Sequence, residues 1–126
     1  MPSKLKDHQI TLDGRDIVAK SYVRNSGCAP RKLRLLGDTI RNKGVLQALE
    51  ILAFSNRPSA RPTLEKALKA AIAAAREQNI DPGTLVVGEL IVNEAPMLKR
   101  IRAASMGRAV RVRKRQSHLF LALTTE

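Results

Sequence analysis

Eight cations, Lys99, Arg100, Arg102, Arg108, Arg111, Arg113, Lys114 and Arg115, stand between Glu94 and Glu126 with no carboxylate among them. Lacking an internal counter-ion, they must face water or an external anion. A solvated face that aids solubility is the plain alternative, but so many uncompensated cations in one stretch favour a surface that neutralises the phosphates of a polyanion. Other chemistry finds few parts. Cys28 is the only cysteine and His8 and His118 are the only histidines, so an intrachain disulfide and the usual zinc ligands are both missing. No carboxylate pair, Cys-His couple or glycine-rich phosphate loop stands out. His118, next to Ser117, reads as a hydrogen-bonding or nucleic-acid-contacting group rather than a catalytic base. The reading is a non-enzyme with no metal, no cofactor and no small-molecule substrate.

The rest of the chain supports that division. Its 126 residues hold 23 Lys plus Arg against 11 Asp plus Glu, a net charge of +12 and a pI near 10.9. Residues 1–94 account for +5 and residues 95–126 for +7, so a quarter of the chain carries more than half of the charge. The length suits one domain that buries roughly 65–70% of its unfolded surface, and 44% hydrophobic residues agree with a folded core. No apolar run approaches the roughly 18 residues of a membrane span, and residues 1–14 lack the apolar core of a signal peptide. A cytoplasmic protein with no membrane partner is expected, although length alone leaves a basic amphipathic membrane binder open.

Those cations need elements to position them. Residues 17–24, with Ile17, Val18, Tyr22 and Val23, have strand character. Pro30 suits the first turn of a helix over 31–41, where Leu33, Leu36 and Ile40 form a buried stripe and Arg31, Lys32, Arg34 and Arg41 lie largely off it. Asn42, Lys43 and Gly44 supply the stop, with Gly44 expected to take the left-handed backbone. A second helix over 45–54 places Val45, Leu49 and Leu52 or Ala53 on one side. The third, capped by Ser59 and with Pro62 in its first turn, buries Leu64, Leu68, Ile72 and Ala75 among alanines that favour helix and close packing. After the Asp81-Pro82-Gly83 turn the period changes to two. Residues 85–92 and 110–123 read as antiparallel partners, with Gly107 as the turn between two basic arms. Each arm extends about ten residues past the base, or on the order of 33 Å. So long a two-stranded ribbon is marginal alone in water and is expected to become ordered against an anion. Phe54 and Phe120 read as core, and Tyr22 as either a sheet-packing residue or a nucleic-acid contact. With three aromatics in the chain, a base-stacking platform for a run of single-stranded nucleic acid lacks its parts.

The segment Ala95-Pro96-Met97-Leu98-Lys99-Arg100 resembles Gly-Pro-Thr-Leu-Lys-Arg, and Arg113-Lys114-Arg115-Gln116-Ser117-His118-Leu119 resembles Arg-Lys-Arg-Thr-Ser-His-Ile. Both patterns belong to the bacterial-type large-subunit ribosomal protein twenty-two family, whose long β-hairpin lines the peptide exit tunnel. A third match, Ala29-Pro30-Arg31-Lys32-Leu33-Arg34-Leu35, resembles Ser-Pro-Arg-Lys-Val-Arg-Leu and is followed by Asp38, Ile40, Arg41 and Lys43 at the family's spacing. The resemblance runs from about residue 19 to 124. It implies an α+β fold, three helices packed on a three-stranded antiparallel sheet with a long protruding basic hairpin at about 96–118. Residues 17–126 would form the single domain, and residues 1–16 an N-terminal extension outside the resemblance.

By the same resemblance the chain is a structural constituent of the large ribosomal subunit that binds large-subunit ribosomal RNA and helps assembly. Its other partners are neighbouring ribosomal proteins and, in passing, the nascent peptide. RNA contacts fall to Arg31, Lys32, Arg34, Arg41, Lys43, the eight hairpin cations, Ser117 and His118, and the tunnel-lining tip to Ala103, Ala104, Ser105, Met106 and Gly107. Two departures stand out. Ala29 replaces the family's Ser cap, and the tip lacks two arginines and a proline of the pattern Arg-Pro-Arg-Ala-Arg-Gly-Arg-Ala. A nucleoid-type protein with a basic β-arm in the DNA minor groove, Met106 as its wedge, is the alternative; the arm is far longer than one groove requires.

Overall fold

A computed structural model describes residues 14–125. The elements run β1 (Ile17–Ser26), α1 (Pro30–Ile40), α2 (Val45–Phe54), α3 (Arg61–Glu77), β2 (Leu85–Ala103) and β3 (Ala109–Thr125). The three strands form one antiparallel sheet in the order β1-β3-β2, so the last strand is the central one. This is the expected α+β architecture. Alternation on β3 sends Leu119, Leu121 and Leu123 into the core beside Ala19 of β1 and Leu85, Val87, Leu90 and Val92 of β2. A bulge between Val87 and Glu89 resets the alternation, which is how Val87 and Leu90 reach the same face. Gly88 sits there because a Cβ would lie 2.5 Å from Cγ2 of Thr124.

The helices cover one face of the sheet. α1 buries Leu33, Leu36, Gly37 and Ile40. A Cβ on Gly37 would come within 2.7 Å of Leu90 Cδ2, so the absent side chain sets how closely α1 approaches β2. α3 buries Leu64, Ala67, Leu68, Ala71, Ile72 and Ala75, a stripe in which the alanines allow the helix down onto β1. α2 contributes Val45, Ala48 and Leu52; Leu49 is only half-buried and Ala53 is exposed. No helix among the described residues is long and apolar enough to cross a membrane.

Several local expectations are corrected. β1 continues to Ser26, two residues past the predicted end. The left-handed residue after α1 is Asn42 (φ 60), whereas Gly44 is extended and bridges to Val86. Asn tolerates this conformation, and it lets the Asn42 N–H reach Val87 O at 2.9 Å. Ser59 does not cap α3. The residue before that helix is Ala60, already right-handed, and the Arg61 N–H is satisfied by Arg57 O at 2.9 Å. Phe54 is 91% exposed, while Phe120 is buried as expected. Nine residues separate Phe54 from Val45, which is half a turn around the helix from the buried side. The extension expected over residues 1–16 falls, for 1–13, outside the described residues.

Candidate nucleic-acid interface

β1 pairs with β3 only as far as Ser26 opposite Ser117; beyond that point β2 and β3 continue alone to Ala103 opposite Ala109. A bulge between Ala95 and Leu98 marks the departure, and it contains Pro96, whose missing N–H suits an interrupted ladder. From there the register fixes which side chains share a face. Leu98 opposite Lys114, Arg100 opposite Val112 and Arg102 opposite Val110 line one face, so each cation is set against an aliphatic residue. Lys99 opposite Arg113 and Ile101 opposite Arg111 line the other, with Arg115 one step further back. The ribbon is cationic on both faces, and Lys99 and Arg113 are like charges placed directly across from each other. Such a pair is destabilising unless an anion lies between or beside the two. Among the described residues none of the eight hairpin cations makes a salt bridge.

The tip is tight. Ala104 N–H donates to Arg108 O at 2.9 Å, and the reversal uses two successive left-handed residues, Met106 (φ 59) and Gly107 (φ 69). Gly107 takes that backbone without strain; Met106 does not, and its side chain is 94% exposed. The expected tip residues Ala103, Ala104, Ser105, Met106 and Gly107 are all exposed.

The cations of α1 divide into two groups. Arg34 donates from Nε and Nη2 to Val92 O at 3.3 and 3.0 Å, and Arg41 from Nη2 to Leu90 O at 2.9 Å. Both guanidinium groups therefore cover the open edge of β2, a row of carbonyls that would otherwise be unpaired. Arg41 is also held by Asp38 at 2.7 Å. Further along the same edge Lys43 O accepts the Val87 N–H at 2.9 Å. The Arg31, Lys32 and Lys43 side chains are exposed and have no such task.

At the hairpin base the two expected polar contacts separate. Ser117 is fully buried and its hydroxyl donates to Cys28 O at 2.8 Å, so it is not available to RNA. It is a tie that holds β3 to the connection leading into α1. Ser26 continues this tie by accepting from Cys28 N–H at 3.4 Å and sharing a hydrogen bond with Thr63 of α3 at 3.2 Å. His118 points to the opposite side of the sheet. Its Nδ1 accepts the Asn25 N–H at 3.1 Å, its ring stacks near Tyr22 at 6.4 Å between centroids, and the Arg24 guanidinium lies 5.3 Å from the Tyr22 ring. Sequence reading missed Arg24 and Asn25 as neighbours of His118. The alternation of Tyr22 and Arg24 in β1 is the only local signal that they share a face.

A second feature was also hidden. Leu35, Ile51 and the exposed Phe54 line an open groove of about 690 Å³ between α1 and α2, with Lys43 and Arg57 among its polar residues.

Comparison with known proteins finds relatives over most of the chain. Residues 21–124 match the family model described as ribosomal protein L22p/L17e. The chain is 41% identical over 109 residues to the large ribosomal subunit protein uL22 of Fusobacterium nucleatum, covering 86% of this chain and 97% of that protein. It is 44% identical over 107 residues to the uL22 protein of Oceanobacillus iheyensis, covering 84% of this chain and 94% of the relative. The uL22 protein of Staphylococcus aureus is 44% identical over 108 residues, covering 84% of this chain and 91% of that protein. The chain belongs to the ribosomal protein L22p/L17e family. That membership makes it a structural component of the ribosome and not an enzyme.

Proposed function

We propose that this chain binds large-subunit ribosomal RNA in the cytoplasmic large subunit, helps that RNA assemble, and lines the peptide exit tunnel with its hairpin tip. The observation that carries the reading is the distribution of charge over both faces of the ribbon. A cationic ribbon on a flat anionic surface would leave one face uncompensated, whereas a ribbon inserted between RNA segments has phosphate on both sides. Arg and Lys contacts to phosphate supply the affinity, and recognition is by shape and backbone. The exposed Arg31, Lys32 and Lys43 form a second contact surface on the base. The residues of the tip, 103–107, then face the nascent peptide, with less charge than the family pattern carries. The groove that holds Leu35, Ile51 and Phe54 beside Lys43 and Arg57 suits a neighbouring ribosomal protein, to which the exposed Phe54 offers an apolar contact. Residues 17–126 act as one domain in this reading, with residues 1–16 as an extension.

Co-sedimentation tests it. The full chain should travel with large ribosomal subunits through a moderate salt wash, and should bind a large-subunit ribosomal RNA transcript more tightly than duplex DNA at 150 mM salt. Tighter binding to duplex DNA would overturn the reading.

A further inference from the structure

The outer face of the sheet, opposite the helices, gathers a small group that the hairpin reading does not use. Register places Tyr22 across from Phe120 and His118 across from Asn93, and Arg24 follows Tyr22 on the same side of β1. β1 is irregular here: the register shifts between Val23 and Ser26, and Asn25 adopts a left-handed backbone (φ 50). That turn aims the Asn25 N–H at His118 Nδ1. With Nδ1 occupied as an acceptor, the neutral ring carries its proton on Nε2, which leaves that edge as a donor. The Tyr22 and His118 rings lie 26° from parallel and are both half-buried, while Arg24 is exposed above Tyr22. Two near-parallel rings 6.4 Å apart, a hydrogen-bond donor and a guanidinium are the parts of a site for one stacked base and its phosphate.

We infer that Tyr22, His118 and Arg24 form a binding site for a single unpaired RNA nucleotide, the base stacking on the Tyr22 and His118 rings and the phosphate pairing with Arg24. This rests on the RNA-binding function proposed above and adds a contact of a different kind. Phosphate contacts along the hairpin are strongly salt-dependent, whereas stacking is not. The site lies at the hairpin base, where the ribbon leaves the sheet, so a nucleotide held there would fix the angle at which the arm enters the RNA.

The chain supplies its own reporter, because Tyr22 is the only tyrosine and there is no tryptophan. The full chain is titrated with a large-subunit ribosomal RNA transcript while tyrosine fluorescence and binding are followed together. Stacking should quench the emission as the complex forms. Tyr22→Leu should weaken binding about 5- to 150-fold with the salt slope unchanged, and Tyr22→Phe, which keeps the ring, should bind as the parent does. Arg24→Gln should lower the slope by about 0.7–0.9, one phosphate contact. Circular dichroism confirms that the variants fold. Normal salt-dependent binding with unquenched emission, or a Tyr22→Leu variant that binds as the parent does, overturns the stacking site alone. Absence of RNA binding by the parent chain overturns the function on which it rests.

Discussion

Replacing Lys99, Arg111, Arg113 and Arg115 together by Gln strips one face of the hairpin and leaves Arg100, Arg102 and Lys114 on the other. Each phosphate contact contributes about 0.7 to the salt slope for single-stranded RNA and about 0.9 for a duplex. Four lost contacts therefore flatten the log–log slope by about 3 to 3.6. Between 50 and 200 mM salt this amounts to about 100-fold less loss of affinity than the parent chain suffers. The complementary triple variant, Arg100, Arg102 and Lys114 to Gln, should flatten the slope by about 2 to 2.7. Binding of the full chain to a large-subunit ribosomal RNA transcript, measured at several KCl concentrations, reads both. Stability provides the control. The four-residue variant removes the repulsion between Lys99 and Arg113, so its thermal midpoint should equal or exceed that of the parent, and weakened binding cannot be ascribed to unfolding. A slope that responds to one face only would place the ribbon on an RNA surface instead of between RNA segments. A slope that responds to neither would remove the hairpin from the interface.

The remaining predictions concern the base that holds the arm. Ala29→Ser should add about 1 kcal/mol by capping α1, which has no side-chain cap, and urea denaturation measures it. Phe120→Ala should cost about 3–5 kcal/mol, whereas Phe54→Ala should stay within about 0.5 kcal/mol by the same measurement while reducing incorporation into large subunits. Arg34→Met should lower stability by about 1–2 kcal/mol because two bonds to Val92 O are lost, and Arg31→Met should leave stability unchanged. Equal effects of the last two substitutions would contradict the division of the α1 cations.

The parts of the fold visible in the sequence are those with strong local period or punctuation. The stripe Leu64, Leu68, Ile72 of α3, the Pro30 start of α1, the Asp81-Pro82-Gly83 turn and the alternation of β3 all survive in the structure. What was not visible depends on distant partners. The N–H of Asn42 finds Val87, and that long-range bond, together with the tolerance of Asn for this backbone, accompanies a left-handed residue two positions before Gly44. Phe54 reads as core by type, yet its angular position on α2 turns it outward, and type outweighed periodicity in that expectation. The charge run of the hairpin was plain, but its division into two faces was not. That division needs the bulge at 95–98, which changes the phase of β2 relative to β3 and cannot be seen in either strand separately.

Ser117 and Arg34 show why a basic or polar motif is not a map of contacts. Both fall in the stretches that most resemble the family, and both hydrogen-bond within the chain, the buried Ser117 with Cys28 and the exposed Arg34 with Val92 at the sheet edge. Their shared effect is mechanical. The Ser117 tie fixes β3 against the start of α1, and the two arginines of α1 close the edge of β2, so the strands that form the hairpin are both anchored just before they leave the core. An arm about 30 Å long magnifies any angular freedom at its root. Holding it requires hydrogen bonds at the base, where no RNA need be present, and it is there that Ser117 and Arg34 make theirs.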